Sequence, residues 1–383
     1  MRFVCLPRAF IGIVSLIIFS TSLVAQQANE LSAGGVIADL QLVEAESPIS
    51  EHPNWNPQKI LMLELPQLGG GNEEIRAQVR EVAGDVEVVF HSSSNFQPEP
   101  ELLKDVDAIL GVCLPQVLAA ADDSLLWFHN YFVGVDRCID VDSELIQGRV
   151  FTNSQRLSSP SIAEHSITMM LSLTRNFPAV MDAQKQRNWD RSLGRQMTFG
   201  ELTGKTILIA GLGGIGTEVA KRAHGLGMRV IATRNSSREG PDYVDYVGLA
   251  HELNDLAAQA DVVVNALPLT NETTGLFDEQ FFDAVKANSI FVSVGRGKST
   301  VTADLISALE SGKLYGAGLD VTDPEPLPSS SPLWTMDNVI ITPHIASNGG
   351  LSVDRYKVVV LENLRRYVTG ERMLSPVDLS RGY

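Results

Sequence analysis

The chain has 383 residues, of which 44% are hydrophobic and 20% charged, and its net charge is −16. That length is sufficient for two globular domains with sizeable cores. The excess of acidic residues argues against nucleic acids and anionic membrane surfaces as partners, although an acidic protein can still contain a locally basic pocket.

The first thirty residues have the pattern of a targeting segment rather than of a folded domain. Arg2 and Arg8 precede an uncharged apolar run over residues 9–25, which ends on the small residue Ala25. This pattern is typical of a secretory signal peptide, so we expect residues 1–25 to direct export to the periplasm. An uncleaved N-terminal membrane anchor is the alternative, because the run is only slightly shorter than a membrane span.

The cysteines are scarce. Cys5 lies in the predicted signal segment, which leaves Cys113 and Cys138 in a mature chain. They could pair in an oxidising compartment, but two residues do not form a disulfide framework, and we expect them to stay unpaired. Neither has the spacing of metal ligands and the sequence has no His/Cys cluster, so we expect no metal site.

The body of the chain begins after a polar stretch. Residues 26–56 are interrupted by prolines and lack a firm period, which predicts a linker. Over residues 57–157 short apolar runs alternate with helical stretches, which predicts a parallel sheet covered by helices. The runs are KILMLELP, VEVVFHS, DAILGV and LLWFHNYF, and the clearest helical stretch is EEIRAQVREVAG.

A second α/β domain is predicted over residues 158–346. It opens with a helix over 159–180 that is apolar on nearly all sides, which is typical of a helix buried against a second domain or subunit. Six apolar runs then alternate with helices, the pattern of a doubly wound dinucleotide-binding fold. The runs are TILIAGLG, RVIATR, DVVVNALP, SIFVSVGRG, YGAGLDV and VIITPH. Residues 347–383 carry a last helix that can return to the first domain.

The sequence GLGGIG follows the first strand of this second domain and opens a helix. Gly211 permits a tight turn, Gly213 lets the backbone approach a pyrophosphate, and Gly216 lets helix and strand pack closely. The helix N-terminus attracts phosphate. A purely structural turn is the alternative. The expected dinucleotide-binding residues here are Gly211, Leu212, Gly213, Gly214, Ile215 and Gly216.

The stretch VIATRNSSR bears on which dinucleotide binds. An NAD site usually places a carboxylate about 20 residues after the first glycine, where it binds the ribose. Here Arg234 occupies that region, followed by Asn235, Ser236 and a second cation, Arg238. A guanidinium can pair with a 2′-phosphate, so we expect NADP(H), with Arg234, Asn235 and Ser236 as cofactor ligands. NAD(H) is the alternative, with Arg234 a solvated surface residue.

Three polar residues follow successive strands. Arg296 lies in VGRG, Glu325 in LDVTDPEP and His344 in TPHIAS. Ligands of open α/β sheets bind beyond the carboxyl ends of strands, so these side chains should meet at one crevice. Arg296 can hold a carboxylate, His344 can exchange a proton with an adjacent carbonyl oxygen, and Glu325 can fix the imidazole. This set suits hydride transfer on a 2-oxo or 2-hydroxy acid. Read singly, each residue could instead be structural.

Residues 60–383 resemble the D-isomer-specific 2-hydroxyacid dehydrogenase family. The similarity is carried by motifs in the family's order: VGVDRCID, SIAEHSITMMLSLTR, GLGGIG, ALPLTNETTGLF, VGRG, AGLDVTDPEP and TPHIA. The resemblance implies a catalytic set of Arg296, Glu325 and His344. It also implies cofactor contacts by Leu267, Pro268, Thr273, Val294 and Asp320, the last at the nicotinamide carboxamide. Substrate contacts would come from Arg296 and from the loops at Gly111, Val112, Val133 and Gly134.

The resemblance further implies two Rossmann-like doubly wound domains, the substrate domain being discontinuous, and a homodimer. Arg234 replaces the ribose carboxylate, which resembles the branch of NADPH-using glyoxylate and hydroxypyruvate reductases. Gly214 stands where the family often has an arginine, so cofactor affinity would be lower or supplied elsewhere. An export signal is unusual for such an enzyme, since free nicotinamide cofactor is scarce outside the cytoplasm. The alternatives are a non-catalytic dinucleotide-binding interaction protein and a family member acting on another anion such as phosphite.

Overall fold

The structure is a computed structural model that describes residues 31–65, 71–92, 96–138, 141–196, 199–379 and 381–382. The predicted signal segment and Cys5 lie outside these residues. No helix within the described part of the chain is long and apolar enough to cross a membrane.

Five parallel strands form the first sheet, in the order β2-β1-β3-β4-β5. They are β1 Lys59–Glu64, β2 Glu87–Ser92, β3 Ala108–Gly111, β4 Trp127–Asn130 and β5 Val150–Asn153. Helix α2 (Glu73–Ala83) and the short helices α3 (Pro115–Ala120) and α4 (Ser143–Ile146) join them. All residues of β3 and β4 are buried, which explains why the sequence shows continuous apolar runs here.

Seven parallel strands form the second sheet, in the order β12-β11-β10-β9-β6-β7-β8. They are β6 Thr206–Ala210, β7 Arg229–Arg234, β8 Tyr246–Leu249, β9 Val262–Asn265, β10 Ser289–Ser293, β11 Leu314–Leu319 and β12 Val339–Ile341. The sequence predicts six of these runs and misses β8. The strand order reverses between β6 and β9, so the doubly wound fold is confirmed, with its ligand crevice at the end of these two strands.

Helices cover both faces of the second sheet. They are α5 Ser159–Thr174, α6 Phe177–Lys185, α7 Gly214–Gly225, α8 Leu253–Ala257, α9 Glu279–Ala284 and α10 Thr302–Glu310. Helix α5 packs on α7 and on the strands β10 and β11. Its buried residues, among them Met169, Met170 and Leu173, belong to the core of the second domain. The apolar side chains of α5 are therefore buried largely against residues of the same chain.

The last helix, α11 (Ser352–Thr369), packs on α2, and its Val360, Leu364 and Tyr367 belong to the core of the first sheet. The substrate domain is thus discontinuous. Residues 31–56 differ from the predicted linker, because helix α1 (Ala33–Leu40) and the turn after it pack on α11. Their apolar side chains form a small core with one residue before α5, one in α11 and one after it: Val36, Leu40, Leu42, Leu157, Val359 and Leu374.

Cys113 and Cys138 form a disulfide, so the expectation of two unpaired cysteines is wrong. Cys113 follows β3 and Cys138 ends a short 3₁₀ turn after β4. Because β3 and β4 are neighbours in the sheet, the loops at their ends are brought together, and the two Cα atoms lie 6.0 Å apart. Sequence separation gives no sign of this proximity.

Candidate active site

The glycine turn lies between β6 and α7, beside the point where the strand order reverses. Gly211 has φ +95°, in the left-handed region that favours glycine. A Cβ on Gly216 would overlap the carbonyl oxygen of Gly211, so helix and strand could not pack as closely with any other residue. A Cβ on Gly213 would meet nothing within 4 Å, so this glycine leaves open space for a ligand rather than serving internal packing.

The turn also fits the phosphates of a dinucleotide electrostatically. Helix α7 begins at Gly214 with Gly213 as its N-cap, and no side chain caps it. Its first backbone N–H groups therefore point out of the helix without intrahelical partners, at the positive end of the helix dipole. Leu212 is buried and Ile215 half-buried, which anchors the turn on both sides. The six predicted residues thus form one turn at the start of α7, and their contact with phosphates stays a prediction.

Arg234 lies at the end of β7, half-buried, and its Nη1 donates a hydrogen bond to the Glu239 carbonyl oxygen at 3.0 Å. Asn235 and Ser236 follow it and are exposed. Arg238, expected as a second cation, is instead engaged by Glu252, with Nη2 2.8 Å from the carboxylate. Among these residues the guanidinium of Arg234 is therefore the cation left available at the strand end.

His344 and Glu325 form a hydrogen-bonded pair, with Nδ1 2.7 Å from Oε1. Their side chains are 42% and 44% exposed, which suits groups that must reach a ligand in a crevice. His344 has φ +53°, an uncommon conformation for a residue with a side chain. A carboxylate can only accept a hydrogen bond, so Nδ1 donates to Glu325 and Nε2 is the ring nitrogen left to exchange a proton with a ligand.

The conformation of His344 is held by Asp320, which is 3% exposed and directly follows β11. The Asp320 carbonyl oxygen accepts from the His344 N–H at 2.8 Å. The Asp320 carboxylate accepts from the Ile345 and Ala346 N–H groups and from the Thr342 hydroxyl, at 2.7 to 3.1 Å. In the structure Asp320 therefore organises the His344 loop. Its predicted contact with a nicotinamide carboxamide stays a prediction.

Arg296 follows β10 and reaches the first domain. Its Nε and Nη2 lie 3.2 and 3.1 Å from Oδ1 of Asp136, and its Nη1 donates to the Gly295 carbonyl oxygen at 2.9 Å. A Cβ on Gly134 would overlap Nη2 of Arg296. The structure thus brings a predicted substrate-binding residue, Gly134, directly against the predicted carboxylate-binding arginine.

The other predicted substrate residues lie at the ends of β3 and β4. Gly111 is the last residue of β3, and Val112, 1% exposed, follows it. The Val133 and Gly134 N–H groups have no hydrogen-bond partner among the described residues, whereas their carbonyl oxygens accept from Asn153 and Asn130. Polar backbone groups left unpaired beside Arg296 suit the binding of an anion.

The predicted cofactor loop after β9 is held by its own side chains. The Leu267 N–H donates to Asn265 Oδ1 at 3.1 Å, and the Thr273 hydroxyl donates to the Pro268 carbonyl oxygen at 2.7 Å. Leu267 also lies against Gly211, while Val294, 5% exposed, borders the loop at the end of β10. The structure therefore places Leu267 beside the glycine turn, and Thr273 braces the loop that carries it.

Sequence reasoning misses two side chains of this region. Asp136 stands within the quoted motif VGVDRCID, but its pairing with Arg296 depends on the contact between domains. His165 on α5 lies with Nε2 2.9 Å from the Thr342 hydroxyl, and so supports the Asp320 network from the opposite side. No group of three or more His, Cys, Asp or Glu residues is placed to hold a metal ion in the described ranges.

The doubly wound sheet, the glycine turn and the His–Glu pair at the strand ends together define a nicotinamide-dinucleotide-dependent oxidoreductase. The sequence profile of the D-isomer specific 2-hydroxyacid dehydrogenase NAD binding domain matches residues 167–346. Human glyoxylate reductase/hydroxypyruvate reductase is 30% identical over 304 residues, which cover 78% of this chain and 92% of the human protein. The chain therefore belongs to the D-isomer-specific 2-hydroxyacid dehydrogenase family, whose members act on the CH–OH group of 2-hydroxy acids.

Two further comparisons agree with this family. Glyoxylate reductase from Pyrococcus furiosus is 33% identical over 281 residues, which cover 71% of this chain and 82% of that protein. The crystal structure of a D-isomer specific 2-hydroxyacid dehydrogenase from Xanthobacter autotrophicus, in complex with NADPH and MES, has a TM-score of 0.71. It is 26% identical and covers 86% of this chain and all of that one.

Proposed function

We propose that this protein is an NADP(H)-dependent reductase of small 2-oxo acids such as glyoxylate or hydroxypyruvate. The observation that carries the proposal is the His344–Glu325 pair, 2.7 Å apart, on the same sheet edge as Arg296. A proton donor and a carboxylate-binding cation beside a dinucleotide site are what reduction of a 2-oxo acid requires. The names of the human and Pyrococcus furiosus relatives support this substrate class.

Each residue has a defined task in the proposed reaction. Arg296, oriented by Asp136, holds the substrate carboxylate together with the Val133 and Gly134 N–H groups. The bound dinucleotide supplies the hydride. His344 donates its Nε2 proton to the carbonyl oxygen, and Glu325 stabilises the imidazolium and fixes which ring nitrogen faces the substrate. In the oxidative direction His344 accepts the proton instead.

The preference for NADP(H) over NAD(H) is part of the proposal. It is supported by the Arg234 guanidinium at the end of β7, which donates only to a backbone carbonyl oxygen among the described residues, and by the NADPH in the Xanthobacter relative. The test is titration of wild type and Arg234→Asp with NADPH and NADH. We expect the wild type to bind NADPH more tightly and the variant to reverse the order, because a carboxylate repels a 2′-phosphate and binds a ribose hydroxyl. An unchanged order contradicts the role of Arg234.

Activity is tested by following NADPH oxidation across a panel of 2-oxo acids, from glyoxylate to bulkier ones. We expect turnover that His344→Ala abolishes while NADPH binding persists. Tight binding of NADPH without turnover of any 2-oxo acid would instead support a non-catalytic dinucleotide-binding protein. Reduction of NADP⁺ or NAD⁺ by phosphite, with no turnover of the 2-oxo acids, would assign a different anion as substrate.

We also propose that the protein works outside the cytoplasm. The proposal rests on the basic and apolar segment 1–25 and is supported by the Cys113–Cys138 disulfide, since disulfides persist in oxidising compartments. A reporter fused after residue 30 tests it, and a reporter that stays cytosolic contradicts export.

A homodimer is proposed as well. Helices α5 and α6 and the chain after them expose large apolar side chains, namely Leu171, Phe177, Met181 and Trp189. Exposed apolar residues that cluster on one surface are typical of a subunit interface. Light scattering on the purified protein measures the mass, and Phe177→Glu is expected to shift it towards the monomer.

A further inference from the structure

Arg156 is a cation that the proposed reaction leaves unused. It lies just after β5, in the segment that leads from the first domain into helix α5. The side chain is half-buried, and its backbone has φ +69°. A residue with a side chain keeps this conformation only where its surroundings fix it, and such positions cluster at functional sites.

The Arg156 side chain packs against the start of helix α7. A Cβ on Gly214 would come within 2.8 Å of Arg156 Cγ and 2.9 Å of the Ser159 hydroxyl. Glycine at 214 is therefore what lets the arginine stem lie across the first turn of the helix. The Arg156 Nη1 donates to the carbonyl oxygen of Leu40, the last residue of α1, at 3.3 Å. The N-terminal segment thus helps to hold this guanidinium in place.

The guanidinium has no carboxylate partner within ion-pair distance among the described residues. Glu218 lies in the same region, but its carboxylate is engaged by Arg222 on the same helix. Burial and, to a smaller extent, the positive charge of Arg234 lower the pKa of Arg156. Two cations are therefore held near each other, and an anion placed between them would relieve both desolvation and repulsion.

We propose that Arg156 binds the pyrophosphate of the dinucleotide at the N-terminus of α7, while Arg234 reads the 2′-phosphate. This inference rests on the proposed function, because it takes the same dinucleotide as ligand. The helix start supplies N–H groups to the phosphates, and Arg156 adds a full charge to them from the segment joining the domains. The phosphate-binding charge thus comes from outside the glycine turn itself.

The test is cofactor binding, measured by the fluorescence of reduced nicotinamide on titration of NADPH and NADH. Arg156→Gln and Arg156→Met both remove the charge, and Met keeps an apolar stem against Gly214. We expect each variant to weaken both dinucleotides by about tenfold or more, because both carry the pyrophosphate. Arg156→Lys is expected to recover part of the loss. Arg234→Gln should weaken NADPH alone.

Lys221→Gln is the matched control, since Lys221 is exposed on helix α7 and its substitution removes an equal charge. It should leave both affinities unchanged. Thermal unfolding without cofactor checks that the Arg156 variants are folded, and the Met variant serves if the Gln variant is not. Unchanged affinity for both dinucleotides, or a loss confined to NADPH, overturns the assignment of Arg156 to the pyrophosphate. If the variants weaken binding of both dinucleotides as expected but no 2-oxo acid is reduced, the proposed function is wrong while the assignment of Arg156 stands.

Discussion

The Arg296 guanidinium forms an ion pair with Asp136 across the two domains, with Nη2 3.1 Å from Oδ1. Both side chains are about 30% exposed, so the pair contributes little to the free energy of folding. What the ion pair determines is the position of the Arg296 guanidinium. The Asp136 carboxylate and the Gly295 carbonyl oxygen together fix the plane of the guanidinium, and Gly134 leaves the space that Nη2 occupies. The substrate-binding cation is thus positioned by both domains.

Gly134→Ala is expected to impair substrate binding. The added methyl group would occupy the place of Arg296 Nη2, so the guanidinium must move away from both Asp136 and the substrate. Loss of charge-assisted hydrogen bonds of about 1.5–3 kcal/mol predicts a fall in kcat/KM of about tenfold to a hundredfold. Steady-state kinetics on the best 2-oxo acid measure it, with Gly194→Ala as the control, because a Cβ on Gly194 meets nothing within 4 Å. Equal kinetics for the two variants would refute the steric argument.

Glu325→Gln is expected to lower kcat more than it changes KM. The amide oxygen can still accept from His344 Nδ1–H, but it carries no negative charge to stabilise the imidazolium. We expect kcat to fall about tenfold to a hundredfold, and further for His344→Gln, since general acid catalysis is worth about 10²–10⁴. NADPH affinity should stay as in the wild type. Glu310→Gln on the exposed side of α10 is the control. A similar fall in kcat for this variant would contradict the catalytic role of the His344–Glu325 pair.

The sequence predicts those parts of the fold that follow from local patterns of apolar and polar residues. Buried parallel strands such as β9 and β10 appear in the sequence as continuous apolar runs. Because ligands of open α/β sheets bind beyond the carboxyl ends of the strands, the residues that follow these strands are expected at the crevice. The sequence does not predict strand β8 because it has four residues, of which only Val247 and Gly248 are buried. So short a stretch shows no continuous apolar run.

The contacts that sequence does not predict join segments far apart in the chain. The Arg296–Asp136 pair spans 160 positions, and the Arg156–Leu40 hydrogen bond spans 116. Residues 31–56 read as a linker because prolines interrupt them and their apolar residues show no firm period. Their buried apolar side chains form a core only with the distant residues Leu157, Val359 and Leu374. Such contacts depend on how the domains pack, which no local spacing encodes.

Protonation of His129 is expected to make stability depend on pH below neutrality. Burial lowers the pKa of this imidazole on β4 from 6.5 to about 3. The folded state therefore keeps His129 neutral, while the unfolded chain binds a proton as the pH falls below about 6.5. The resulting stability is complete above that pH and is lost towards pH 3, at about 1.4 kcal/mol per unit.

Denaturant unfolding at pH 8 and pH 5 measures this contribution. The free energy of unfolding of His129→Asn should change between the two pH values by about 2 kcal/mol less than that of the wild type. His251→Asn is the control, because His251 is exposed and its loss should leave the difference unaltered. If His129→Asn retains the wild-type pH dependence, its imidazole is not the group responsible.

The Cys113–Cys138 disulfide joins the two loops that we assign to the substrate. Cys113 follows Gly111 and Val112 after β3, and Cys138 ends the turn that holds Asp136 after β4. Closing a loop of 25 positions stabilises the fold by about 3.5 kcal/mol in the chain-entropy view. The same bridge restricts the motion of the substrate loops, so its removal should raise KM several-fold and change kcat little.

Cys113→Ala together with Cys138→Ala is the variant of choice, because both cysteines are buried and alanine introduces no polar group. We expect the variant to lose stability and substrate affinity to the same extent as the wild type treated with reductant. The variant itself should be insensitive to reductant, which separates the bridge from any general effect of the reagent. A wild-type enzyme whose stability and KM both persist in reductant, with two more free thiols titrated per chain than before reduction, would show that the bridge is dispensable for the site.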